Sequence, residues 1–562
     1  MAELRNRGLL AYHLYRSLEI RALWKLFVGF GPYTWSEVDI REQLVKAGYS
    51  WVDVDVRGSG ASFGRREYPL SPDEVLDGGE LVDWIVRQWW SAGVVGATGI
   101  SYDGTAAEML LRNHHPVVKA IVPRFSGWDV YGNIFFPGGL QASGLLSDWS
   151  RLNAALDHDA LNDVFGWRAG LLTSGVRPVD DDLLDAAIAA HADNVDVVEL
   201  FGPLVYWDDI DPRGSDVSMD DFSPHLLGDA SGPDVAIYSY GGWFDGAHPR
   251  GQVRRYVSRG YRGDRLLLGP WFHGGDFNAS PYATGGHDFD HAGEVLRFFD
   301  YHLRGIDDGF SSDDPVRYYT MGAEVWNRSR TWPPPGVSWQ SYFLAPDGGL
   351  SGNQGGLESA CDRYKVDDTV STGPGSRWGV VVVSGAKRGY PDRRDIDRCL
   401  LTYTSPPLEY DLEVTGHPIA RLFMSANATD GALFVYLEDV HPDGRVSYVT
   451  EGQLRLIHRQ TTDSPIAGDP VPFRTYLRAD ARALTPGEVV EVAVDLLPTS
   501  FVFRAGHAIR LAIAGADAGN FDAPVPTSPL IFDLHRDTPH PSRIELPTYP
   551  ERVGAGRVKP AR

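Results

Sequence analysis

The sequence predicts a two-part protein: an α/β region built on a parallel sheet covered by helices, followed by an all-β sandwich. Three observations predict it. Strand and helix signals alternate over residues 51–125 and again over 235–303. A stretch with helical spacing and no strong strand run lies between them. From about residue 315 the chain consists of short β-type runs punctuated by turn signals. At 562 residues the chain exceeds one hydrophobic core, so two or three domains are expected.

The first 30 residues, Leu9 to Leu26 above all, have a helical pattern broken by Arg5, Arg7, Arg16, Glu19, Arg21 and Lys25. That pattern lacks the uninterrupted apolar run of a signal peptide. Trp51 to Val56 alternates as a strand does, and a Gly-rich loop follows, Arg57 to Gly64. Leu76 to Trp90 reads as a helix with Leu76, Leu81, Ile85 and Trp89 on its apolar face. Val94 to Ile100 is a buried strand, Thr105 to Leu111 a helix, and Val117 to Val122 a second buried strand. Leu145 to Leu156 and Asp182 to Leu200 are helical and form an insertion over about 126–225. The alternation then resumes with a strand at Val235 to Tyr238, a helix at Gly251 to Arg259, a strand at Arg265 to Leu268 and a helix at Glu294 to Leu303. Beyond the linker at Ile306 to Gly309, Arg317 to Thr320, Ala432 to Leu437, Val489 to Val494 and Ile509 to Ile513 read as sandwich strands. The expected domains are 1–125 with 226–310, the insertion 126–225, and 315–562.

Composition narrows the function. The net charge is −23 and no Lys/Arg tract occurs, which argues against nucleic acid and anionic membranes as partners. No apolar stretch reaches the roughly 18 residues of a membrane span, and the reading is a cytoplasmic protein. The two cysteines, Cys361 and Cys399, have neither the spacing nor the neighbours of a zinc site and are read as inert thiols.

The sharpest local signal is Gly99-Ile100-Ser101-Tyr102-Asp103-Gly104, between a predicted buried strand and a predicted helix. A serine in such a turn is thrust out at the carboxyl end of the sheet, and small neighbours relieve the crowding. Its hydroxyl would be the nucleophile, and the backbone N–H of Tyr102 would face the developing oxyanion. The second glycine comes one place later than in G-x-S-x-G, with Asp103 at the usual position. Read alone, the serine is also compatible with an ordinary turn.

A serine hydroxyl needs a general base, and in the α/β-hydrolase fold the order is Ser, then Asp or Glu, then His. His273 follows the strand ending at Leu268 through Gly269-Pro270-Trp271-Phe272, and Asp245 follows the strand 235–238 through Gly241-Gly242-Trp243-Phe244. Asp245 would hold the imidazole in one tautomer and stabilise its protonated form. The bland alternatives are a loop histidine and a helix N-cap; His248, three residues past Asp245, is the nearest competitor as base.

These residues resemble the cocaine-esterase and X-prolyl dipeptidyl aminopeptidase family. The matching segments are Asp55 to Ser62, Gln88 to Gly96, Gly99 to Gly104, Gly241 to Asp245 and Gly269 to Gly274. In the second half they are Met321-Gly322 with Trp326, Ser405 to Leu408, Asp439 to Gly444, Leu484 to Glu488 and Phe503 to His507. The late glycine of the serine motif is usual in that family. The resemblance implies an α/β-hydrolase fold with an inserted helical cap and a C-terminal jelly-roll-like, galactose-binding-like β-domain. It implies Ser101, Asp245 and His273 as a catalytic triad, and the hydroxyl of Tyr33, in the Pro32-Tyr33 pair, as a second oxyanion donor beside Tyr102. It also implies strands before that pair, where this sequence looks helical.

The reading is therefore a serine hydrolase cleaving an ester or amide through an acyl-enzyme, with no cofactor and no metal, and with Trp243, Trp271 and Trp128 walling an apolar pocket. A small-molecule ester or a peptide is the expected partner, and a homodimer is compatible with it. Removal of X-Pro dipeptides, acyl transfer or macrocyclisation, and a non-catalytic binding role are the alternatives. Gly246 and Ala247 after Asp245 weigh against the subgroup that hydrolyses α-amino acid esters, which carries carboxylates there. Gly58 to Gly64 has the wrong last spacing for a dinucleotide loop and is read as a turn. Asp157-His158-Asp159 and Asp180-Asp181-Asp182 are read as solvated helix-end charges.

Overall fold

A computed structural model describes residues 35–549, apart from 159, 161–162, 165–180, 215–216, 226–234, 261–262, 284–288, 356–359, 383–386, 470 and 525–528. Tyr33 and the helical pattern of the first 30 residues lie outside the described residues.

The first sheet has six strands in sequential order: β1 (Val95–Ile100), β2 (Val118–Arg124), β3 (Ala236–Gly242), β4 (Arg265–Gly269), β5 (Val316–Thr320) and β6 (Val325–Ser329). β1 to β5 run parallel, and β6 returns antiparallel. Their helices are α1 (Trp35–Lys46), α2 (Pro72–Val86), α3 (Tyr102–Met109), α7 (His248–Arg259) and α8 (His291–Arg304); between β2 and β3 lie α4 (Ser143–Asp157), α5 (Asp181–Ala190) and α6 (Val197–Phe201).

Side chains alternate between the two faces of a strand, and this splits the core. Ala120, Val122, Ala236, Tyr238 and Leu267 pack with Phe298 and Phe299 of α8 and with Ile40 and Leu44 of α1. Ile121 and Ile237 turn the other way, to Val82 of α2 and Leu111. Leu266 and Leu268 share a third cluster with Val253 of α7. A sheet covered on both faces leaves the ends of its strands as the place where a ligand can approach.

Four expectations are corrected. Trp51 to Val56 is not a strand: Val52 and Val54 are exposed, and Asp53 turns back to Trp51 and Arg41. The alternation of Val and Asp mimics a half-buried strand, but among the described residues no strand pairs with it. The helix expected from Leu76 runs Pro72–Val86 and buries Val75 and Val82, two turns apart, while Leu76 and Trp89 face solvent. Residues 317–320, expected in the sandwich, form β5 and extend the first sheet. Asp157, read as a solvated charge, is buried and forms a bidentate ion pair with Arg66 at 2.7 and 3.2 Å.

The remaining strands form one 13-stranded, almost entirely antiparallel sheet system. The two sheets are stitched together where β5 ends: Met321 N–H donates to Ser500 O at 2.9 Å, and Val502 N–H to Met321 O at 2.8 Å. Cys361 and Cys399 are both free and exposed. Among the described residues no helix is long and apolar enough to cross a membrane.

Candidate active site

Ser101 stands between β1 and α3 with φ +61° and ψ −120°, a conformation that costs a non-glycine residue about 1–3 kcal/mol. Its N–H is held by Arg124 O on β2 at 3.0 Å, and its carbonyl accepts from Thr105 N–H at 2.9 Å and Thr105 Oγ1 at 3.1 Å. Small residues make the turn sterically possible. A Cβ on Gly99 would come within 2.4 Å of Asp103, and one on Gly104 within 2.8 Å of Gly99 O and 2.9 Å of Arg124 O. The glycine that comes one place late in sequence is therefore the one that faces the strand end.

Tyr102 opens α3, where backbone N–H groups have no partner within the helix. Its side chain is anchored apart from that: Tyr102 Oη donates to Glu74 Oε2 at 2.6 Å and accepts from Leu70 N–H at 2.9 Å. Leu70 N–H also donates to Glu74 Oε2 at 3.2 Å, and burial pushes the Glu74 carboxyl up to about 7 against the pull of the bonds from Tyr102 and Leu70.

Two parallel loops follow β3 and β4 and are tied together. Trp243 N–H donates to Gly269 O at 2.8 Å and Phe244 N–H to Trp271 O at 3.0 Å. They carry Asp245 and His273. Asp245 is fully buried, and its Oδ1 accepts from His273 Nδ1 at 2.7 Å. That bond leaves His273 Nε2 as the nitrogen able to exchange a proton with a hydroxyl. Ser101 Oγ has no hydrogen bond to His273 among the described residues; in resting sites this contact is often long and tightens when substrate binds.

Asp245 Oδ1 also accepts from His248 Nδ1 at 3.1 Å, and the His248 and His273 rings lie 5.6 Å apart. Burial raises the Asp245 carboxyl, but the two histidines outweigh it and hold the group below the ordinary carboxylate range. The sequence offered His248 only as a competitor of His273; the structure has both on one carboxylate. A second residue that sequence reasoning missed is Arg377, fully buried in the second half of the chain. Its guanidinium donates to Trp243 O, and its own carbonyl accepts from Gly246 N–H at 3.2 Å, so it buttresses the Asp245 loop from outside the first sheet. No local motif marks it.

The three expected pocket tryptophans are core residues. Trp243 and Trp271 are each 2 % exposed. Trp243 Nε1 donates to Tyr319 O at 2.8 Å, and Trp271 packs among Phe125, Tyr240, Phe289 and His291. Trp128 is buried edge-on against His225. They support the loops from behind and present little surface to a ligand.

Comparison with known proteins supplies the context. Residues 21–275 match the model of the X-Pro dipeptidyl-peptidase (S15 family), and residues 308–553 match that of the X-Pro dipeptidyl-peptidase C-terminal non-catalytic domain. A Mycobacterium bovis protein named as a serine esterase is 46% identical over 559 residues, covering 95% of this chain and 89% of that protein. The cocaine esterase of Rhodococcus sp. is 29% identical over 560 residues, covering 92% and 91% of the two chains. Among solved structures, an aminopeptidase from a marine sediment Thaumarchaeota archaeon aligns with a TM-score of 0.69 at 23% identity, covering 91% of this chain and 87% of that one. A CocE/NonD family hydrolase from Staphylococcus aureus aligns with a TM-score of 0.66 at 16% identity, covering 88% and 79%. The last two likenesses concern the fold.

Proposed function

The chain belongs to the cocaine-esterase and X-Pro dipeptidyl-peptidase (S15) family of serine hydrolases, and on that premise we propose that it hydrolyses carboxylic esters through an acyl-enzyme on Ser101. The observation that carries the reading is the 2.7 Å bond from His273 Nδ1 to the buried, ionised Asp245, on loops beside a serine in a strained turn. The preference for esters over X-Pro peptides rests on the 46% identity to a protein named as a serine esterase.

In this mechanism Ser101 Oγ attacks the ester carbonyl while His273 Nε2 takes its proton. Asp245 holds the imidazole by its other nitrogen and stabilises the imidazolium. Tyr102 N–H and Tyr33 Oη donate to the oxyanion. His273 then gives its proton to the departing alcohol, and water, deprotonated by the same nitrogen, releases the acid. We assign the catalytic unit to 1–125 and 226–310 extended by β5 and β6, the cap to 126–225, and the β-domain to the remainder.

The test is hydrolysis of short-chain p-nitrophenyl esters by the wild type and by Ser101→Ala. The expected loss in kcat is on the order of 10⁶-fold. Equal turnover by both proteins removes Ser101 as nucleophile. Turnover of X-Pro amides at a higher kcat/KM than esters overturns the ester assignment while keeping the triad.

A further inference from the structure

Away from the candidate active site, two imidazoles and a carboxylate converge at one edge of the β-domain, and a thiol stands on the facing strand outside that group. The strand Ile531–His535 pairs antiparallel with Cys361–Lys365, and His535 stands directly opposite Cys361. Directly opposed residues of an antiparallel pair share a face, with Cβ atoms about 5 Å apart. Past His535 the chain turns tightly: Asp537 Oδ1 accepts the His540 N–H at 3.0 Å and lies 2.8 Å from His540 Nδ1. One donor atom from each of His535, Asp537 and His540 lies within 4.8 Å of the other two. The two rings are 5.5 Å apart, and Phe423, opposite His535 on the other neighbouring strand, backs His540 at 5.6 Å.

The turn is held in place independently of these side chains. Arg536 Nε donates to Asp362 at 2.9 Å, Gln354 Nε2 to Thr538 O at 3.1 Å and Ser542 N–H to His540 O at 2.9 Å. Asp537 is buried, whereas the His540 side chain is 34% exposed, so the cluster opens to solvent on one side.

We propose that His535, Asp537 and His540, with Cys361 as the fourth donor across the ladder, form a binding site for a divalent transition-metal ion, zinc above all. Nitrogen and sulfur donors beside one carboxylate suit zinc and its first-row neighbours, whereas magnesium and calcium take oxygen. Two other Asp–His–His groups are poorer candidates. Asp245, His248 and His273 belong to the candidate hydrolytic site. In Asp439, His441 and His507, both nitrogens of His441 already have partners, Ser447 Oγ and an Arg445 guanidinium, each at 2.9 Å. Cys361–Lys365 ends the strand path of its sheet, so an ion bound here would staple the edge strand to its neighbour.

The test uses the full chain, stripped of metal and kept reduced, titrated with zinc chloride in a calorimeter and with cobalt(II) in a spectrophotometer. One bound zinc equivalent, a higher thermal midpoint with zinc, and a thiolate-to-cobalt charge-transfer band are expected. The double variant His535→Gln/His540→Gln is expected to weaken that zinc by more than about a hundredfold. Cys361→Ser is expected to remove the cobalt band. His540→Gln alone, at a half-exposed position, is expected to weaken zinc while melting like the metal-free wild type, which separates loss of a ligand from loss of fold. Ester turnover of all these variants should equal wild type. Zinc binding absent from the wild type, or unchanged in the double variant, overturns the site; a wild-type cobalt complex without the band overturns the role of Cys361.

Discussion

Asp245 with His248 and His273, and Asp439 with His441 and His507, are built from the same two residue types, one carboxylate and two imidazoles, yet their hydrogen bonds are arranged differently. In the first, His273 spends Nδ1 on Asp245 at 2.7 Å, which leaves Nε2 for the proton transfer proposed above. In the second, His507 Nδ1 lies 2.9 and 3.1 Å from the two Asp439 oxygens, Tyr282 Oη donates to the same carboxylate, and His441 is filled on both nitrogens. Arg504 covers the Tyr282 ring at 4.1 Å. On the proposed mechanism, what separates the two groups is the nitrogen that His273 leaves unspent and His441 does not. The second group fastens the loop that follows His273, through Tyr282, to the β-domain.

The largest effect that could break this comparison is on turnover. Asp245→Asn should lower kcat for a p-nitrophenyl ester by about 10⁴-fold, since it leaves the imidazole in the wrong tautomer. Asp439→Asn should leave kcat within about tenfold of wild type, because fastening acts on the loop and not on the reacting atoms. Equal losses in the two variants would mean that both groups take part in the chemistry. The next effect is on stability. Asp439→Asn should cost about 2 kcal/mol in urea unfolding, and Tyr282→Phe about 1 kcal/mol, as buried hydrogen-bonded groups lose partners.

A carboxyl with no histidine partner sharpens the contrast further. Glu74 is raised from 4.5 to about 7, so the folded chain binds its proton more tightly than the unfolded chain does. Its contribution to stability is therefore greatest below pH 4.5 and is lost as pH rises through about 7. Glu74→Gln keeps an oxygen for Tyr102 Oη and Leu70 N–H and removes the titration. Thermal melts should show a flatter pH dependence over that interval and, at pH 8, a gain of about 1–3 kcal/mol. An Asp245 carboxylate held down by its histidines should show the opposite trend, losing stability only in acid.

Much of this arrangement was legible in the sequence because its signals are local. β1, β2, β3 and β4 are short runs legible in the sequence; Ser101 follows β1 directly, and Asp245 and His273 lie in the short loops after β3 and β4. What sequence reading missed depends on neighbours distant in the chain. Trp51 to Val56 has a strand's alternation without a partner among the described residues, and β5 has a strand's composition without any mark of which sheet it joins. The phase of α2 is set by packing against Leu111, which places Val82 rather than Leu76 inside. Trp243 and Trp271 looked like pocket walls because they border Asp245 and His273, yet adjacent positions point different ways and bury them. Arg377 reaches the Asp245 loop across 132 positions from Asp245, a contact that no spacing rule contains.

The crowding at Gly99 and Gly104 bears on how such proteins are found and altered. A search string that demands glycine at the fifth place of the serine motif discards this chain, because exposed Asp103 occupies it. A rule phrased as a clearance, that no side chain fits where the helix crosses the strand end, admits it and says why. For directed evolution the same clearance divides the motif into closed and open codons: libraries at 99 and 104 would meet backbone and side-chain atoms, whereas a side chain is already accommodated at 103, next to Tyr102.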